Sequence, residues 1–499
     1  MKKISRNTWV TILIAAVLVA AVLISIPFLS DYFLAQPFFL TYRLTELSEM
    51  ITEKHIYWEE GDDPLLIGYQ RYFETTDAPE RREVRRAFTA LFQEDAAAYY
   101  EIANLMLSHY DRYSKLVTLD DYDALYPDSE SYGGLGMVVT ANGPFIGVVE
   151  VYADSAAGRA GILPGDRIVM VNGADIRPLP YAAASDRLAE VSKNGGSVTI
   201  LREEGQPTLT FDLSPEAVVI PNVDWSVDGG VAYLDVTLFE GETFREDIDA
   251  AFRDFRATEA EALILDLRDN RGGRITHLMH LLNALTAEED ALFFTQVKRD
   301  ETKENRADGG GMAFREIVVL VDENTCSSAE VSAGYLKDLG YPVIGTLTYG
   351  KGIGTSTYDF FGDSLVLATI DIRLPESGSY HEVGITPTIE QAQTYPYIEL
   401  PALSPLSPDA EVTADSDAAL ILAAEERLVL LGYLETADGV WDAATETALA
   451  GLDAISTGEG IPLLLDLTER LKQSFFIEDT QLLAAYELLG TKQSLVPAA

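Results

Sequence analysis

The sequence has little cysteine and little basic charge. One cysteine in 499 residues rules out an internal disulfide framework, so hydrophobic cores must stabilise the fold. Only 36 lysines and arginines stand against 80 acidic residues, which gives a formal net charge of −44. Because so acidic a surface is repelled by phosphate backbones, we expect no nucleic-acid partner. The length favours several domains rather than one.

A long apolar run lies near the N-terminus, from Trp9 to Leu29. It is long enough, at helical rise, to cross a bilayer. Basic residues precede it and Asp31 follows it, which predicts a cytoplasmic N-terminus and an extracytoplasmic bulk. A cleaved signal peptide is the alternative, but the run is long for one and has no convincing small-x-small cleavage site. We therefore predict that residues 1–30 form a single-pass anchor in the cell membrane.

The most informative pattern is a serine between a predicted strand and a predicted helix. The apolar run Ile317–Val321 indicates a buried strand, and Val331–Leu339 indicates a helix. Ser327 lies on the turn between them, where helix N–H groups can stabilise an oxyanion. Lys351, in a glycine-flanked turn, can act as general base if burial lowers its pKa. The pattern suggests a serine–lysine hydrolase, although the spacing alone favours Ser327 as a plain helix cap and Lys351 as a surface lysine.

Two segments resemble the carboxyl-terminal processing proteases, also called tail-specific proteases. They are VVLVDENTCSSAEVSAGYLKDLGYPVIGTLTYGKG at 318–352 and ALILDLRDNRGG at 262–273. The resemblance implies that Ser327, three residues before a glutamate, is the nucleophile and that Lys351 is the base. It also implies an oxyanion hole made by the N–H groups of Gly273 and Ser328. A Gly-Gly loop suits this role because it lets the backbone approach a substrate closely.

The sequence departs from that family at two positions. The family has a glutamine four residues after the lysine, where this chain has Thr355. We assign Thr355 as the third catalytic residue, with Ser356 as a substitute, since a hydroxyl can also form the orienting hydrogen bond. The other departure is Cys326, which could itself be a nucleophile. Its spacing of four from the glutamate does not fit the family register, so we favour Ser327.

Five histidines could replace lysine as the base or bind a metal: His55, His109, His277, His280 and His381. The pair at 277 and 280 shares a predicted helix face, which superficially suggests a metal site. No third ligand stands nearby in a recognisable pattern. We therefore predict neither a metal nor another cofactor.

A glycine-rich loop upstream resembles the carboxylate-binding loop of a PDZ domain. The loop is YGGLGM at 132–137, and SAAGRAGILPGDRIVMVNG follows at 155–173. Successive N–H groups at Gly134, Leu135, Gly136 and Met137 would capture the terminal carboxylate of a peptide that adds to the domain as a strand. The expected partners are thus proteins or peptides with free, apolar C-termini.

The C-terminal stretch 420–452 resembles a small helical peptidoglycan-binding repeat, with a three-helix packing module as the alternative. A charged, glycine-containing stretch, Val297–Phe314, is predicted to be a mobile loop near the site. The whole chain reads as a multidomain α/β protein with an α/β protease core. Its predicted parts are an anchor (1–30), a helical N-terminal part of the protease (38–128), an α+β PDZ domain (129–216), the protease core (217–400), a linker (401–417), and a peptidoglycan-binding-like helical domain with a C-terminal helix (418–499).

These features together predict a membrane-anchored, extracytoplasmic serine endopeptidase that cleaves proteins near their C-termini. The alternative is a catalytically silent PDZ and cell-wall-binding scaffold, which the threonine at position 355 would suit.

Overall fold

A computed structural model of the chain describes residues 36–125 and 131–490. Its helices are α1 Pro37–Lys54, α2 Pro64–Tyr72, α3 Arg81–Glu94, α4 Ala98–Leu107, α5 Leu119–Leu125, α6 Ala156–Ala160, α7 Tyr181–Asn194, α8 Phe244–Ala257, α9 Ile275–Leu285, α10 Ser328–Asp338, α11 Ala418–Leu430, α12 Ala443–Ser456, α13 Gly460–Leu471 and α14 Thr480–Leu488.

The strands are β1 Lys115–Val117, β2 Ser131–Gly134, β3 Met137–Asn142, β4 Phe145–Val151, β5 Arg167–Val171, β6 Ala174–Asp175, β7 Gly196–Leu201, β8 Leu209–Leu213, β9 Glu216–Val219, β10 Val223–Asp228, β11 Val231–Val236, β12 Ala262–Asp266, β13 Leu292–Val297, β14 Thr302–Arg306, β15 Glu316–Val321, β16 Val343–Gly345, β17 Ile353–Phe360, β18 Asp363–Leu374, β19 Gly378–Ser379 and β20 Ile389–Glu390.

The predicted membrane anchor, residues 1–30, lies outside the described residues. Within the described ranges, no single helix has the length and hydropathy needed to cross a bilayer. Helices α12 and α13 meet that requirement only when taken together, and they join at a bend of 92°.

A mostly parallel sheet of order β10-β11-β12-β15-β16-β20 carries the candidate site. Its central strands β12 and β15 are parallel and almost wholly apolar, as expected for strands covered on both faces. On one face, Leu263 and Val319 pack against α8, α9 and α10. On the other, Ile264 and Val318 pack against Tyr486 of α14. The strands therefore end at one edge between two layers of helices, where loops can hold reactive groups.

A second sheet joins the N-terminal helices to the protease core. Its order is β1-β18-β13-β14, and β17 and β19 also pair with β18. Helices α1 to α4 bury Leu44, Phe88 and Tyr99 in a cluster that also contains Leu365 and Leu367 of β18. The helical N-terminal segment is thus packed on the core, and it brings the turn between α4 and β1 close to the candidate site.

The prediction of a mobile loop at Val297–Phe314 is wrong. This stretch contains β14, which pairs antiparallel with β13. Strand β14 reads Thr-Lys-Glu-Asn-Arg and has one buried residue, Asn305. An edge strand that places charged side chains in solvent lacks the apolar alternation by which strands are recognised in sequence.

The PDZ region forms a sheet of order β3-β4-β5-β7-β8, with α7 packed beside it. Strand β3 is an edge of that sheet. The short strands β2 and β9 pair with each other where the chain enters and leaves this unit. An edge strand next to a helix provides the groove that a bound peptide needs.

Helices α11 to α13 pack on the PDZ unit, and α14 packs on the protease sheet. One cluster unites Leu428 and Leu467 of these helices with Phe145 and Leu201 of the PDZ sheet. The segment 401–417, predicted to be a linker, contains no helix or strand. The C-terminal residues therefore bridge the PDZ unit and the core.

Candidate active site

Ser327 lies on a strained turn between β15 and α10. Its backbone has φ +58° and ψ −116°, a conformation that residues with a side chain rarely adopt. Two hydrogen bonds hold the turn: Cys326 N–H donates to the Asn270 carbonyl at 2.8 Å, and Ser327 N–H donates to Oε2 of Glu330 at 2.8 Å. A serine held in this way at the start of a buried helix suits a nucleophile.

The fully buried carboxylate of Glu330 organises the site. Oε2 accepts the backbone N–H groups of Ser327 and Lys351, both at 2.8 Å. Oε1 accepts the Thr348 hydroxyl at 2.6 Å and the Gly350 N–H at 2.7 Å. Burial raises the pKa of Glu330, and these hydrogen bonds oppose that shift. A single side chain thereby fixes the serine turn relative to the lysine turn.

The Gly-Gly loop after β12 lies directly against the serine. A Cβ at Gly272 would be 2.7 Å from the Cβ of Ser327, and one at Gly273 would be 2.5 Å from the Phe239 carbonyl oxygen. Both glycines have positive φ, so side chains are excluded by backbone conformation as well as by space. The Asn270 side chain holds the loop by accepting the Gly272 N–H at 2.8 Å.

The N–H groups of Gly273 and Ser328 donate to no protein acceptor within the described residues. Ser328 N lies 3.1 Å from the Cβ position of Gly272, and the Ser328 hydroxyl donates to the Gly273 carbonyl at 2.9 Å. The two predicted oxyanion donors are therefore neighbours with free N–H groups, as an oxyanion hole requires.

Lys351 is largely withdrawn from solvent, and its Nζ lies 5.2 Å from the ring centroid of Tyr113. Burial lowers the pKa of Lys351, and Lys115 lowers it further. Cys326, Asp111 and Glu330 act in the opposite direction. A lysine whose pKa is lowered by burial can supply a free amine as general base.

Cys326 is buried beside the serine. Burial, reinforced by the Glu330 carboxylate, raises the pKa of its thiol to about 12. Because the thiolate is the reactive form, such a thiol is a poor nucleophile at neutral pH. This environment favours Ser327 over the alternative that the sequence left open.

Thr355 lies on β17 opposite Ala368. Within the described residues no hydrogen bond joins its side chain to Lys351. The Ser356 hydroxyl is paired with the Thr369 hydroxyl at 2.7 Å. The assignment of a third catalytic residue stays a prediction, and the side chain that the structure brings to the lysine amine is Tyr113.

Four of the five histidines pair with groups other than the proposed catalytic residues, and His381 lies close to the site. Nε2 of His55 lies 2.7 Å from Asp111, Nδ1 of His277 lies 3.1 Å from the Phe239 carbonyl, and Nε2 of His280 lies 2.9 Å from Asp249. His109 packs against Tyr110, whereas His381 packs beside Tyr113. Across residues 36–125 and 131–490, no group of three or more His, Cys, Asp or Glu side chains could hold a metal ion.

The predicted carboxylate loop connects β2 to β3. The N–H groups of Leu135 and Gly136 donate to no protein acceptor in the part of the chain that is described. Gly136 has φ +80°, and a Cβ there would be 1.9 Å from the Cβ of Ser155. The loop thus needs glycine at this position, and it presents free donors beside the edge strand β3 that begins at Met137.

The sequence patterns did not single out Glu330 or Tyr113 as site residues. Glu330 carried a detectable signal, because a glutamate three residues after a serine at a helix start is the capping-box pattern. Tyr113 lies in the stretch 105–125, LMLSHYDRYSKLVTLDDYDAL, which resembles the family's LDPYSxYL element. That resemblance did not place Tyr113 beside Lys351, which lies more than two hundred residues later in the chain.

Residues 230–391 match Peptidase family S41, and residues 147–201 match the PDZ domain family. The carboxy-terminal-processing protease of Bartonella bacilliformis is 28% identical over 300 residues, which are 56% of this chain and 68% of that protein. The carboxy-terminal processing protease CtpA of Bacillus subtilis is 26% identical over 342 residues, 65% of this chain and 72% of that protein.

Among solved structures, the photosystem II D1 C-terminal processing protease aligns with a TM-score of 0.42 and 19% identity, over 71% of this chain and 93% of that chain. The sequence matches define a serine-type peptidase with a PDZ domain. The matches support a CtpA-type carboxy-terminal processing protease, whose residues 230–391 correspond to peptidase family S41.

Proposed function

We propose that this chain is a membrane-anchored, extracytoplasmic serine endopeptidase that cleaves proteins near their C-termini. Ser327 Oγ attacks the scissile carbonyl, and Lys351 takes its proton and returns it to the leaving amine. Water then hydrolyses the acyl ester on Ser327. The N–H groups of Gly273 and Ser328 bind the oxyanion in both steps. The observation that carries this proposal is the bond of Glu330 Oε2 to both Ser327 N–H and Lys351 N–H.

The PDZ unit selects the substrate in this proposal. The free N–H groups of Leu135 and Gly136 bind the terminal carboxylate, and the tail of the substrate adds to the edge strand β3. A domain that binds the C-termini of substrates, joined to a peptidase, explains why cleavage would occur near a C-terminus.

The second candidate is a catalytically silent PDZ and cell-wall scaffold. It is supported by Thr355, which makes no hydrogen bond to Lys351 within the described residues. Wall binding stays a prediction from the repeat-like residues 420–452. The apolar packing of α11 to α13 on the PDZ sheet favours the packing module instead.

The deciding experiment is cleavage by the full chain in detergent, with an unstructured protein that ends in apolar residues as substrate. We expect products shortened near the C-terminus, and no cleavage by Ser327→Ala. No cleavage by the wild-type protein, with substrate still bound, would favour the scaffold. Cleavage by Ser327→Ala at the wild-type rate would refute the assignment of Ser327 as the nucleophile.

The anchor is tested separately in bacteria. We expect the full chain to stay with membranes through an alkaline wash and removal of residues 1–30 to release it. An alkaline phosphatase fused after residue 490 should be active, because that enzyme matures only outside the cytoplasm. An inactive fusion would refute the proposed orientation.

A further inference from the structure

The aromatic ring of Tyr113 covers the lysine amine. The ring centroid lies 5.2 Å from Nζ of Lys351, within the range of a cation–π contact. Tyr113 belongs to the turn after α4, so this contact joins the helical N-terminal segment to the catalytic core.

The turn that carries Tyr113 is fixed by the buried Asp111. Oδ1 of Asp111 accepts the N–H groups of Tyr113 and Ser114, and Oδ2 accepts the Ser114 hydroxyl at 2.6 Å. Oδ2 also lies 2.7 Å from Nε2 of the fully buried His55. The Ser114 hydroxyl in turn accepts the backbone N–H of Ala368 on β18 at 2.9 Å. The turn is thereby anchored to the sheet next to the strand that follows Lys351.

Arg112 holds the ring of Tyr113 from the solvent side. Its Nη2 donates to the Tyr113 hydroxyl at 2.8 Å, and its guanidinium carbon lies 5.0 Å from the Tyr113 centroid. The same guanidinium lies 4.8 Å from the ring centroid of Tyr349, two residues before the lysine. The ring is therefore held between a buried turn and an exposed arginine.

We propose that Tyr113 is a positioning residue for Lys351. The ring of Tyr113 shields the lysine amine from water and fixes the direction of the amine. The inference rests on the proposed function, because it concerns the lysine that acts there as base. In this chain Tyr113 performs the orienting role that Thr355 is not seen to perform.

Two effects of the ring oppose each other. The electron-rich face attracts the ammonium form and favours protonation, whereas exclusion of water disfavours the charge. Loss of hydration is the larger effect for a buried ammonium. The titratable groups that act most strongly on Lys351 are Cys326, Lys115, Asp111 and Glu330, and His381 lies beside the next residue, Gly352. Burial is the largest influence, and it lowers the pKa of Lys351.

The test is the pH dependence of kcat/KM for the full chain carrying Tyr113→Ala or Tyr113→Phe. We expect Tyr113→Ala to move the acidic limb to higher pH by about one unit, since water then reaches the amine. Activity should fall about tenfold at neutral pH and recover at alkaline pH, because one pKa unit changes the free-amine fraction tenfold. Tyr113→Phe keeps the aromatic ring, so the acidic limb should stay at the wild-type pH.

Tyr397→Ala serves as the matched control, since Tyr397 is 69% exposed and lies in the segment before α11. If Tyr113→Ala fails to fold, Tyr113→Gln fills part of the same space with a hydrated side chain, which also brings water to the amine and should shift the limb in the same direction. A uniform loss at every pH, or an unmoved limb in the folded variant, would overturn the inference. Full activity of Lys351→Ala would instead overturn the proposed base, so the two failures are distinguishable.

Discussion

The backbone N–H of Ser327 donates a 2.8 Å hydrogen bond to Oε2 of Glu330, three residues later in the chain. The same oxygen accepts the N–H of Lys351. A carboxylate with no exposed surface is costly to bury unless its oxygens are satisfied, and here four donors satisfy it. The spacing between nucleophile and base is therefore set by backbone bonds to one side chain.

Glu330→Gln should reduce both stability and activity. The glutamine amide would turn an N–H₂ group toward N–H donors, which leaves buried polar groups unpaired at a cost of about 1–3 kcal/mol. Displacement of the serine turn relative to the lysine turn should lower kcat by about a hundredfold. Denaturant unfolding and steady-state kinetics measure the two effects.

Glu446→Gln is the matched control, because Glu446 is exposed on α12. It should change neither quantity. Wild-type kcat in Glu330→Gln would show that the carboxylate does not position the two turns.

Lys351→Ala should abolish cleavage without unfolding the protein, whereas Cys326→Ala should retain most activity. Cys326→Ala should be tolerated because the thiol pKa of about 12 leaves Cys326 protonated at neutral pH. Cleavage assays with circular dichroism as the folding check decide the matter. A folded but inactive Cys326→Ala variant would indicate that Cys326, and not Ser327, is the nucleophile.

The pH–rate profile should rise along an acidic limb whose midpoint lies below 10.5, the ordinary lysine value. The sign follows from the mechanism: a base works as the free amine, and burial favours the uncharged form, so the active fraction grows through the lowered pKa. The measurement is kcat/KM across the alkaline range. A rate that climbs without levelling until about pH 10 would indicate an unperturbed lysine.

Much of the catalytic core was predictable because its signals are local. The apolar run Ile317–Val321 predicted β15, and the resemblance of residues 262–273 to a family segment indicated β12 and its Gly-Gly loop. The positive φ of Gly272 and Gly273 explains why that loop needs glycine. Family resemblance then supplied the roles of Ser327 and Lys351.

What the sequence could not predict is contact between distant segments. Tyr113 reaches Lys351 only because Asp111 and Ser114 anchor its turn to β18. Strand β14 was missed because its stability comes from pairing with β13 rather than from an apolar face. The packing of α11 to α13 on the PDZ sheet likewise depends on surfaces that no motif marks.

Arg177→Ala should loosen the C-terminal helices from the PDZ unit. Arg177 is 4% exposed, pairs with Asp175 at 2.9 Å, donates to the Leu431 carbonyl at 2.6 Å and lies 3.4 Å over the Tyr433 ring. Removing one member of a buried ion pair costs about 3–5 kcal/mol. Hydrogen exchange should therefore quicken in α11 to α13 before it does in the protease sheet.

Arg187→Ala is the control for that variant, because Arg187 is exposed on α7 of the same unit. It should leave the exchange rates unchanged. Equal protection of α11 to α13 in both variants would mean that the apolar cluster alone secures the docking.

Peptides with a free C-terminus should bind the PDZ loop more tightly than the same peptides ending in an amide. A carboxylate accepts charge-assisted hydrogen bonds worth roughly 1.5–3 kcal/mol each, and an amide turns donors toward the N–H groups of Leu135 and Gly136. Because Phe145 and Leu201 of this unit are buried against α11 to α13, the full chain is the right sample, carrying Ser327→Ala to prevent cleavage.

Calorimetry with matched acid and amide peptides measures the difference, and cleavage of matched substrates by the wild-type chain extends it to catalysis. We expect the loss of one such bond to weaken binding by about tenfold or more, since about 1.4 kcal/mol is a factor of ten. The alternative is a PDZ unit that only packs against its neighbours, as domains within a chain often do. In that case the two peptides would bind equally and the two substrates would be cut at one rate, which leaves the loop without a role in recognising chain ends.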